Sequence, residues 1–506
     1  LEANATAEQI MEYLMGKDNF GISSKYDGDL AYRIVVVRYA MLGNRFARYK
    51  EVKIAADVSD KTVAYVNEHM DTLSGISVNE DMIRKYNYSE YFSSIIGYTG
   101  PISESEYTAL HKKNKDYTQN DTVGKAGMEQ YYETYLRGKN GERKFYIDNV
   151  GRISEIISST DSVAGDDLYL SIDADLQMAT YLALQNEIAA IVYSNIKSGE
   201  IPINDVYTAL IGNSVINTEH FSKSKASDTE KSVLSVFKSR QKTTLGKIKQ
   251  ELTSSPEALN TMSDEVLDEF TYIISMLKDD QVLLKNEIDT SDSVYQKWKD
   301  QKISPKEYLN YCITQHWIDI SQLNVDEKYA DSTEVYDALC KYILKNIKTD
   351  TEFSKIIYQY MITRGEISPR QLCLILFDQG VLDYDDATVN KLKNGSLSPR
   401  DFLMKKIYNI EITPAQLALE PCTGSCVVTD EKTGEIRAMV SYPGYNSNKL
   451  ANGVDSEYFA SLQHDKSSPL LNYATQQKTA PGSTFKLVSA TAGLAENVIT
   501  DRKSVV

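Results

Sequence analysis

The chain has 506 residues and a formal net charge of −16, from 55 Lys and Arg against 71 Asp and Glu. Hydrophobic residues at 42% and charged residues at 25% exclude wholesale disorder, and at ~150 residues per domain the length suits about three domains with their own cores. An isoelectric point near 5.0 excludes a nucleic-acid partner held on a basic face.

The chain opens at Leu1 with no signal peptide and no apolar run of ~20 residues, and it stops at Asp501-Arg-Lys-Ser-Val-Val506, just after a helical pattern. Both ends read as cuts, so these residues are expected to hold only part of a larger activity. Residues 1–45 read as a helical segment. Thr6-Ala-Glu-Gln9 is a capping-box pattern, with Ile10, Met11 and Leu14 at helical spacing before Gly16. A second helix runs from about Asp29 to Leu42, and its apolar run Ile34–Leu42, broken by Arg38, reads as buried.

Residues 46–196 mix helices with short β-prone runs. Val52–Ala55, Lys144–Ile147 and Leu168–Ile172 nearly alternate apolar and polar residues, as half-buried strands do, and Gly97–Pro101 and Gly138–Gly141 are turn clusters. Residues 197–411 are rich in Lys, Asp and Ser, poor in Gly and helical in pattern throughout. One device recurs there: Ile303-Ser-Pro, Ile367-Ser-Pro, Leu397-Ser-Pro and Ile412-Thr-Pro each offer an apolar N′ residue, a hydroxyl N-cap and proline at N1. The intervals are 64, 30 and 15 residues, from Ser304 to Ser368, Ser398 and Thr413, an irregularity that argues against a fixed-period solenoid. Glu219–Thr229 reads as a mobile loop.

Residues 412–506 return to strands. Ser425–Val428 and Glu435–Val440 flank the turn Asp430–Gly434 as a β-hairpin. A polar loop, Tyr442–Asn448, follows, and Ala480-Pro-Gly-Ser-Thr-Phe-Lys486 opens an apolar helix through Leu494. The Pro481-Gly482 entry puts Ser483 in the first helical turn, where unpaired N–H groups point and the helix dipole is positive. An oxyanion formed when Ser483 attacks a carbonyl is then held partly by the serine's own N–H. Lys486, three residues on, lies on the same face. Desolvated against Phe485, Leu487 and a facing core, its ammonium gives up charge and takes the serine proton as a neutral amine.

The spacing alone is weak. Ser-x-x-Lys recurs at Ser194/Lys197, Ser222/Lys225, Ser235/Lys238, Ser239/Lys242 and Ser275/Lys278, all in polar or amphipathic helical stretches with no Pro-Gly before them. Those are solvated helix faces; Ser483 differs by its entry and by the hairpin upstream. Five scattered histidines and five cysteines, of which Cys422 and Cys426 lack a second pair, give no metal-ligand pattern, and no cofactor is expected. The 35 tyrosines are dispersed and read as packing and surface.

These motifs resemble the class B penicillin-binding proteins. Val427–Ser441 resembles the first two strands of their transpeptidase domain, Tyr442–Asn448 the loop after them, and Ser483-Thr-Phe-Lys486 the active-site tetrad. Upstream, Gly97–Gly100, Val123–Glu129, Tyr135–Gly138, Gly141 and Gly165–Gln177 resemble their pedestal, or dimerisation, domain. The resemblance covers roughly residues 46–196 and 412–506, and leaves 197–411 as an insertion. Tyr473 departs from it, standing where the family usually has arginine. Glu129, within the pedestal motif, reads as a structural ion-pair partner.

The resemblance implies a multidomain α+β chain: an N-terminal helical segment, an α+β pedestal, an all-α insertion, and the start of a penicillin-binding transpeptidase (β-lactamase-like) domain. It implies attack by Ser483 on the D-Ala-D-Ala end of a peptidoglycan stem peptide, with Lys486 as base, and acylation of the same serine by β-lactams. It also implies a membrane anchor upstream, an extracytoplasmic site on the bacterial cell membrane, and divisome or elongasome partners. The family's downstream Ser-x-Asn and Lys-Thr-Gly motifs are not in this chain. Lys432-Thr-Gly434 precedes Ser483 and reads as a turn, and Ser77-Val-Asn79 lies far upstream. The chain by itself is therefore expected not to form a stable penicillin adduct. Two rival readings use the same residues: a non-catalytic cell-wall or division interaction fragment, and a β-lactam sensor or serine β-lactamase. The large pedestal disfavours a plain β-lactamase.

Overall fold

The structure, a computed structural model, describes residues 7–500 except 24, 27, 44–50, 56, 74, 79–82, 120, 148–152, 255–256, 324 and 326–330. The expected cap at Thr6, the boundary between residues 45 and 46, and Asp501–Val506 lie outside the described residues. Contacts gather into two compact units. The first holds Leu1–Asn87, Ile96–Leu170 and Asn448–Val454, the second Tyr88–Ile95, Ser171–Ser447 and Asp455–Val506.

The first unit begins with α1 (Ala7–Met15), α2 (Gly28–Gly43) and α3 (Asp60–Glu68). α2 is helical, as expected, but it is not buried. Ala31 and Val35 are covered, while Leu30, Tyr32, Val36, Tyr39, Met41 and Leu42 are exposed. Its apolar residues surround the helix instead of forming one stripe, so the flank packed on α1 hides few of them. α4 (Ser89–Ile96), assigned up to Ile95 to the second unit, precedes β1 (Thr99–Pro101), α5 (Glu104–Lys113), β2 (Thr122–Gly124), α6 (Gly127–Tyr131) and α7 (Glu133–Leu136). β1 and β2 pair antiparallel with Thr99 opposite Gly124, so the 97–101 cluster is a turn only at its start and a strand after it. Ile102, Tyr117 and Val123 form the core beneath. β3 (Glu142–Ile147) and β4 (Ile153–Thr160) make a second antiparallel pair.

Val52–Ala55 and Leu168–Ile172 are not strands. Alternation marks a half-buried strand only where a neighbour supplies ladder bonds; among the described residues neither segment pairs with a strand, and Leu168–Ile172 meets β6 only through the Ser171 side chain.

In the second unit α8 (Ala174–Ser198) leads into a helical module: α9 (Ile203–Gly212), α10 (Asp228–Thr253), α11 (Asp264–Asp279), α12 (Ser293–Lys299), α13 (Pro305–Thr314) and α14 (Ser332–Ile347), then α15 (Thr351–Thr363), α16 (Pro369–Asp378), α17 (Asp386–Lys393), α18 (Pro399–Tyr408) and α19 (Pro414–Leu417). One continuous apolar cluster runs through it, from Val192 on α8 to Leu417. Ser304, Ser368, Ser398 and Thr413 are N-caps followed by proline, as expected. Each hydroxyl accepts the N–H three residues on, from Glu307, Gln371, Asp401 and Gln416 at 3.1–3.3 Å. Ile303, Ile367 and Ile412 are buried before these caps, and Tyr308, Leu372, Phe402 and Leu417 are buried one turn after them.

The intervals between these caps conceal a regular period. Backbone φ is positive at Gly365, Gly380, Gly395 and Ile410, each 15 residues after the last. Two residues after each, at Ile367, Leu382, Leu397 and Ile412, an apolar residue donates its N–H to the carbonyl six residues back, at 3.1–3.3 Å. The sequence shows 30 where the structure has twice 15, because the connector at Gly380 has no Ser-Pro and Asp385 caps α17 instead. The expectation of irregular spacing is thus corrected for this stretch. Glu219–Thr229 is not a mobile loop either. It forms a 3-10 turn at Thr218–Ser222 and the cap of α10, with Phe221 and Ala226 buried. Its polar residues cap and pair: Ser227 and Glu230 make a capping box, and His220 Nδ1 lies 2.7 Å from Glu230 Oε1.

β5 (Gly424–Thr429) and β6 (Ile436–Tyr442) form the expected antiparallel hairpin, with Gly424 opposite Tyr442. Asp430 accepts the N–H groups of Lys432 and Thr433 across its turn, and Gly434 has φ +77°. α20 (Ser456–His464) and α21 (Phe485–Ala495) follow. Helices with, among the described residues, three two-stranded sheets make this a multidomain α+β chain. Among the described residues no helix is long and apolar enough to cross a membrane.

Candidate active site

The hairpin is held by side chains that substitute for a third strand. Gln177 of α8, fully buried, accepts the Met439 N–H (2.8 Å) and donates to the Met439 carbonyl (3.0 Å) and the Tyr91 carbonyl (2.9 Å). Just before it, Asp173 N–H donates to the Arg437 carbonyl and Ser171 Oγ to the Ile436 carbonyl, both at 2.8 Å. These bonds satisfy the outer edge of β6, whose polar groups are costly to leave unpaired. Tyr181 meets Tyr442 edge-on, with ring centroids 5.4 Å apart, and its hydroxyl accepts the Gly444 N–H. The loop after β6 is anchored on α4, where Ser93 accepts the Tyr445 N–H and Ser89 accepts the Ser447 N–H, both at 3.1 Å. Further along, Ser441 Oγ accepts the Tyr473 N–H at 2.9 Å, and Tyr473 donates its hydroxyl to the Ser467 carbonyl at 2.7 Å. Tyr473 therefore makes its own structural contacts in the unit.

Ser483 lies in a 3-10 turn, Gly482–Thr484, that runs directly into α21. Gly482 takes φ +53°, the left-handed conformation that a side chain disfavours, and turns the chain into the helix. The first turn of α21 has no side-chain cap; the Thr484 and Phe485 N–H groups are met instead by carbonyls of the entering turn, those of Pro481 and Gly482. Lys486 follows on α21. Both side chains are exposed, and neither has a hydrogen-bond or ion-pair partner among the described residues. Among the described residues nothing supplies the expected desolvation of Lys486. α21 buries no side chain, and Phe485 and Leu487, which were to supply the apolar wall, are 52% and 77% exposed. An apolar sequence gives a dry environment only where another element packs on it, and the described residues place none over this face.

The pedestal motif is a hydrogen-bonded knot in the first unit. Arg84 pairs with both oxygens of the buried Glu129 at 2.8 Å, and Tyr86 donates its hydroxyl to the same carboxylate at 3.1 Å. The Tyr86 oxygen in turn accepts the Thr99 N–H, and burial pushes its phenol up to about 12. Glu129 is thus a structural ion-pair partner, as expected. Gly124 allows the close approach: a Cβ there would meet the Glu129 carbonyl oxygen at 2.0 Å. The side-chain amides of Asn448 and Asn452 clasp the backbone of Tyr86 and Arg84. The sequence reading missed Gln177, Ser441 and these two asparagines as anchors. Neutral hydrogen-bonding side chains leave no spacing signal, although Gln177 and Asn448 close two of the quoted motifs. All five cysteines are free, and no cluster of three His, Cys, Asp or Glu fit for a metal occurs among the described residues.

Comparison with known families matches residues 2–170 to the penicillin-binding protein dimerisation domain and residues 424–505 to the penicillin-binding protein transpeptidase domain. The peptidoglycan D,D-transpeptidase MrdA of Salmonella typhimurium is 28% identical over 157 residues, 31% of this chain and 25% of that protein. Penicillin-binding protein 2A of Bacillus subtilis is 33% identical over 136 residues, 26% of this chain and 19% of that protein. The MrdA of Acinetobacter baumannii is 30% identical over 152 residues, 30% of this chain and 22% of that protein. The chain spans a quarter or less of these relatives. A dimerisation domain followed by transpeptidase-domain sequence, with the Ser483 tetrad inside the second match, places the chain among the class B penicillin-binding proteins.

Proposed function

We propose that the protein to which this chain belongs is a serine D,D-transpeptidase that crosslinks peptidoglycan stem peptides, with Ser483 as nucleophile and Lys486 as its base. The observation that carries this reading is Ser483 in the turn entering an uncapped helix, inside the transpeptidase match. Ser483 Oγ attacks the carbonyl between the two terminal D-alanines, and its proton passes to the neutral Lys486 amine. The tetrahedral oxyanion is met partly by the serine's own N–H and by the positive end of the α21 dipole. Collapse expels D-alanine, which takes the proton, and leaves an ester on Ser483. An amine of a second stem then displaces the serine. A β-lactam enters by the same attack and keeps its leaving group tethered, so the ester persists. On this reading the enzyme works on the extracytoplasmic face of the bacterial membrane, beside divisome or elongasome membrane proteins. The module at 197–411 is an insertion between the pedestal and the catalytic domain.

The test is labelling with a fluorescent penicillin in the protein expressed from its whole gene. One label per chain is expected, mapped to Ser483 by peptide mass. Ser483→Ala abolishes it, and Lys486→Ala slows acylation by about 10²–10⁴-fold, the usual range for a lost general base. A label that survives Ser483→Ala overturns the assignment.

A further inference from the structure

The helical module carries a surface hollow that the transpeptidase chemistry does not use. It measures about 390 Å³ and lies where the last turns of α8 meet α18, lined chiefly by Tyr193, Lys197, Arg400, Asp401, Lys405 and Tyr408. Three features set it apart. The first is charge. In a chain of net −16, three cations gather on one hollow, and among the described residues none of the three is in an ion pair. Asp401, the one acid among the residues lining the hollow, is turned to its own helix cap, where its carboxylate accepts the Ser398 hydroxyl at 2.7 Å.

The second feature is the aromatic wall. The rings of Tyr193 and Tyr408 stand 5.1 Å apart and inclined at 59°, and Tyr408 is exposed. Such a wall offers flat apolar faces with polar tips. The third is spare donor capacity. Arg400 donates to the Ile196 carbonyl near the end of α8, at a long 3.4 Å. That bond follows a local habit. Lys306, which also comes just after a Ser-Pro, reaches the Thr253 carbonyl at the end of α10 at 2.6 Å. Capping a neighbouring helix accounts for the position of Arg400, yet it uses one of five N–H donors. It accounts for neither Lys197, Lys405 nor the tyrosine pair.

We propose that this hollow binds an anionic sugar: a pyranose ring against Tyr193 and Tyr408, with its carboxylate or phosphate held by Lys197, Arg400 and Lys405. Charge-assisted bonds fix the anion, and the rings cover the apolar C–H face of the sugar. A bare anion uses only the cations and a neutral sugar only the rings, so each binds more weakly than the two together. The hollow does not involve Ser483, and its binding is independent of acylation there.

Saturation-transfer NMR on the chain as it stands tests it, with four probes: glucuronate, glucose 6-phosphate, glucose and inorganic phosphate. Both sugar anions bind, and glucose and inorganic phosphate each bind at least about tenfold more weakly, as expected when charge and ring contribute jointly. The first two probes also tell carboxylate from phosphate. Lys405→Ala weakens both sugar anions and inorganic phosphate, and leaves glucose unchanged. Tyr408→Ala weakens them but leaves inorganic phosphate unchanged, and Tyr408→Phe restores the sugar. These side chains are exposed, so the melting temperature is expected to hold across the set. Absence of binding, equal binding of glucose, equal binding of inorganic phosphate, or indifference to either alanine variant overturns the proposal.

Discussion

Ile410 adopts φ +59°, where the three preceding connectors of the 15-residue period have glycine. A β-branched side chain in the left-handed region crowds the following carbonyl and costs about 1–2 kcal/mol. Ile410 is only half-buried, so little packing offsets that strain. Ile410→Gly should therefore raise the stability of the second unit by about 0.5–1 kcal/mol after the added chain entropy is discounted. The check is a urea midpoint that moves up at unchanged m-value; a fall would mean that the isoleucine's contacts outweigh its strain. This residue also shows what the sequence could reveal. Gly365 and Gly395 before their Ser-Pro caps are legible as turns, because glycine and proline act locally. A turn made by isoleucine is not, since the conformation is imposed by the helices on both sides. The same limit applies at Ser483 and Lys486. Their order on the chain was legible, but the solvent around Lys486 was not, because burial depends on residues distant in sequence.

At the scale of elements, helix starts were the most legible feature and helix-to-helix electrostatics the least. α10 and α11 face each other across buried charge. Arg240 of α10 donates to both oxygens of Glu265 on α11 at 2.8 and 2.9 Å, Arg364 reaches the same carboxylate at 2.6 Å, and Glu366 lies 3.6 Å from Arg240. One turn further along α11, Glu269 is 2% exposed and its Oε1 has no partner. Desolvation by burial, then the nearby Glu265, push its carboxyl up from 4.5 to about 8, against the pull of Lys247 and Arg240. Folded Glu269 thus keeps a proton that the unfolded chain has lost. Below pH 4.5 both states are protonated and nothing is lost. From there to about pH 8 each unit of pH lowers stability by up to about 1.4 kcal/mol, and above pH 8 the loss is complete. Glu269→Gln removes this dependence. At pH 8 the variant should be more stable than the parent by about 2–4 kcal/mol, and the gap should close toward pH 4.5. Chemical denaturation of both proteins across that range measures the gap directly. A gap that does not change with pH would show that Glu269 is ionised in the folded chain.

Across the whole chain, stability is concentrated away from the proposed nucleophile. The large apolar cluster binds α8 to α19 through fully buried residues such as Leu309, Phe353, Ile357, Leu372 and Leu403, whereas α21 buries no side chain at all. A helix draws most of its stability from its packed face, and 11 residues alone are marginal in water. Hydrogen exchange should separate the two without any variant. Amides of α15 and α16 open only with the second unit as a whole, so they exchange slowest. Those of Phe485–Ala495 open locally and exchange within the first seconds to minutes, protected about 10²-fold or less. The consequence for catalysis is direct. On the proposed reading, a lysine on a helix that opens so readily stands in water, and serves Ser483 as a base only once another surface covers α21. Protection of α21 equal to that of Ile357–Ile362 would mean that such a surface is already in place and that Lys486 is dry, and penicillin labelling of the chain itself should then succeed.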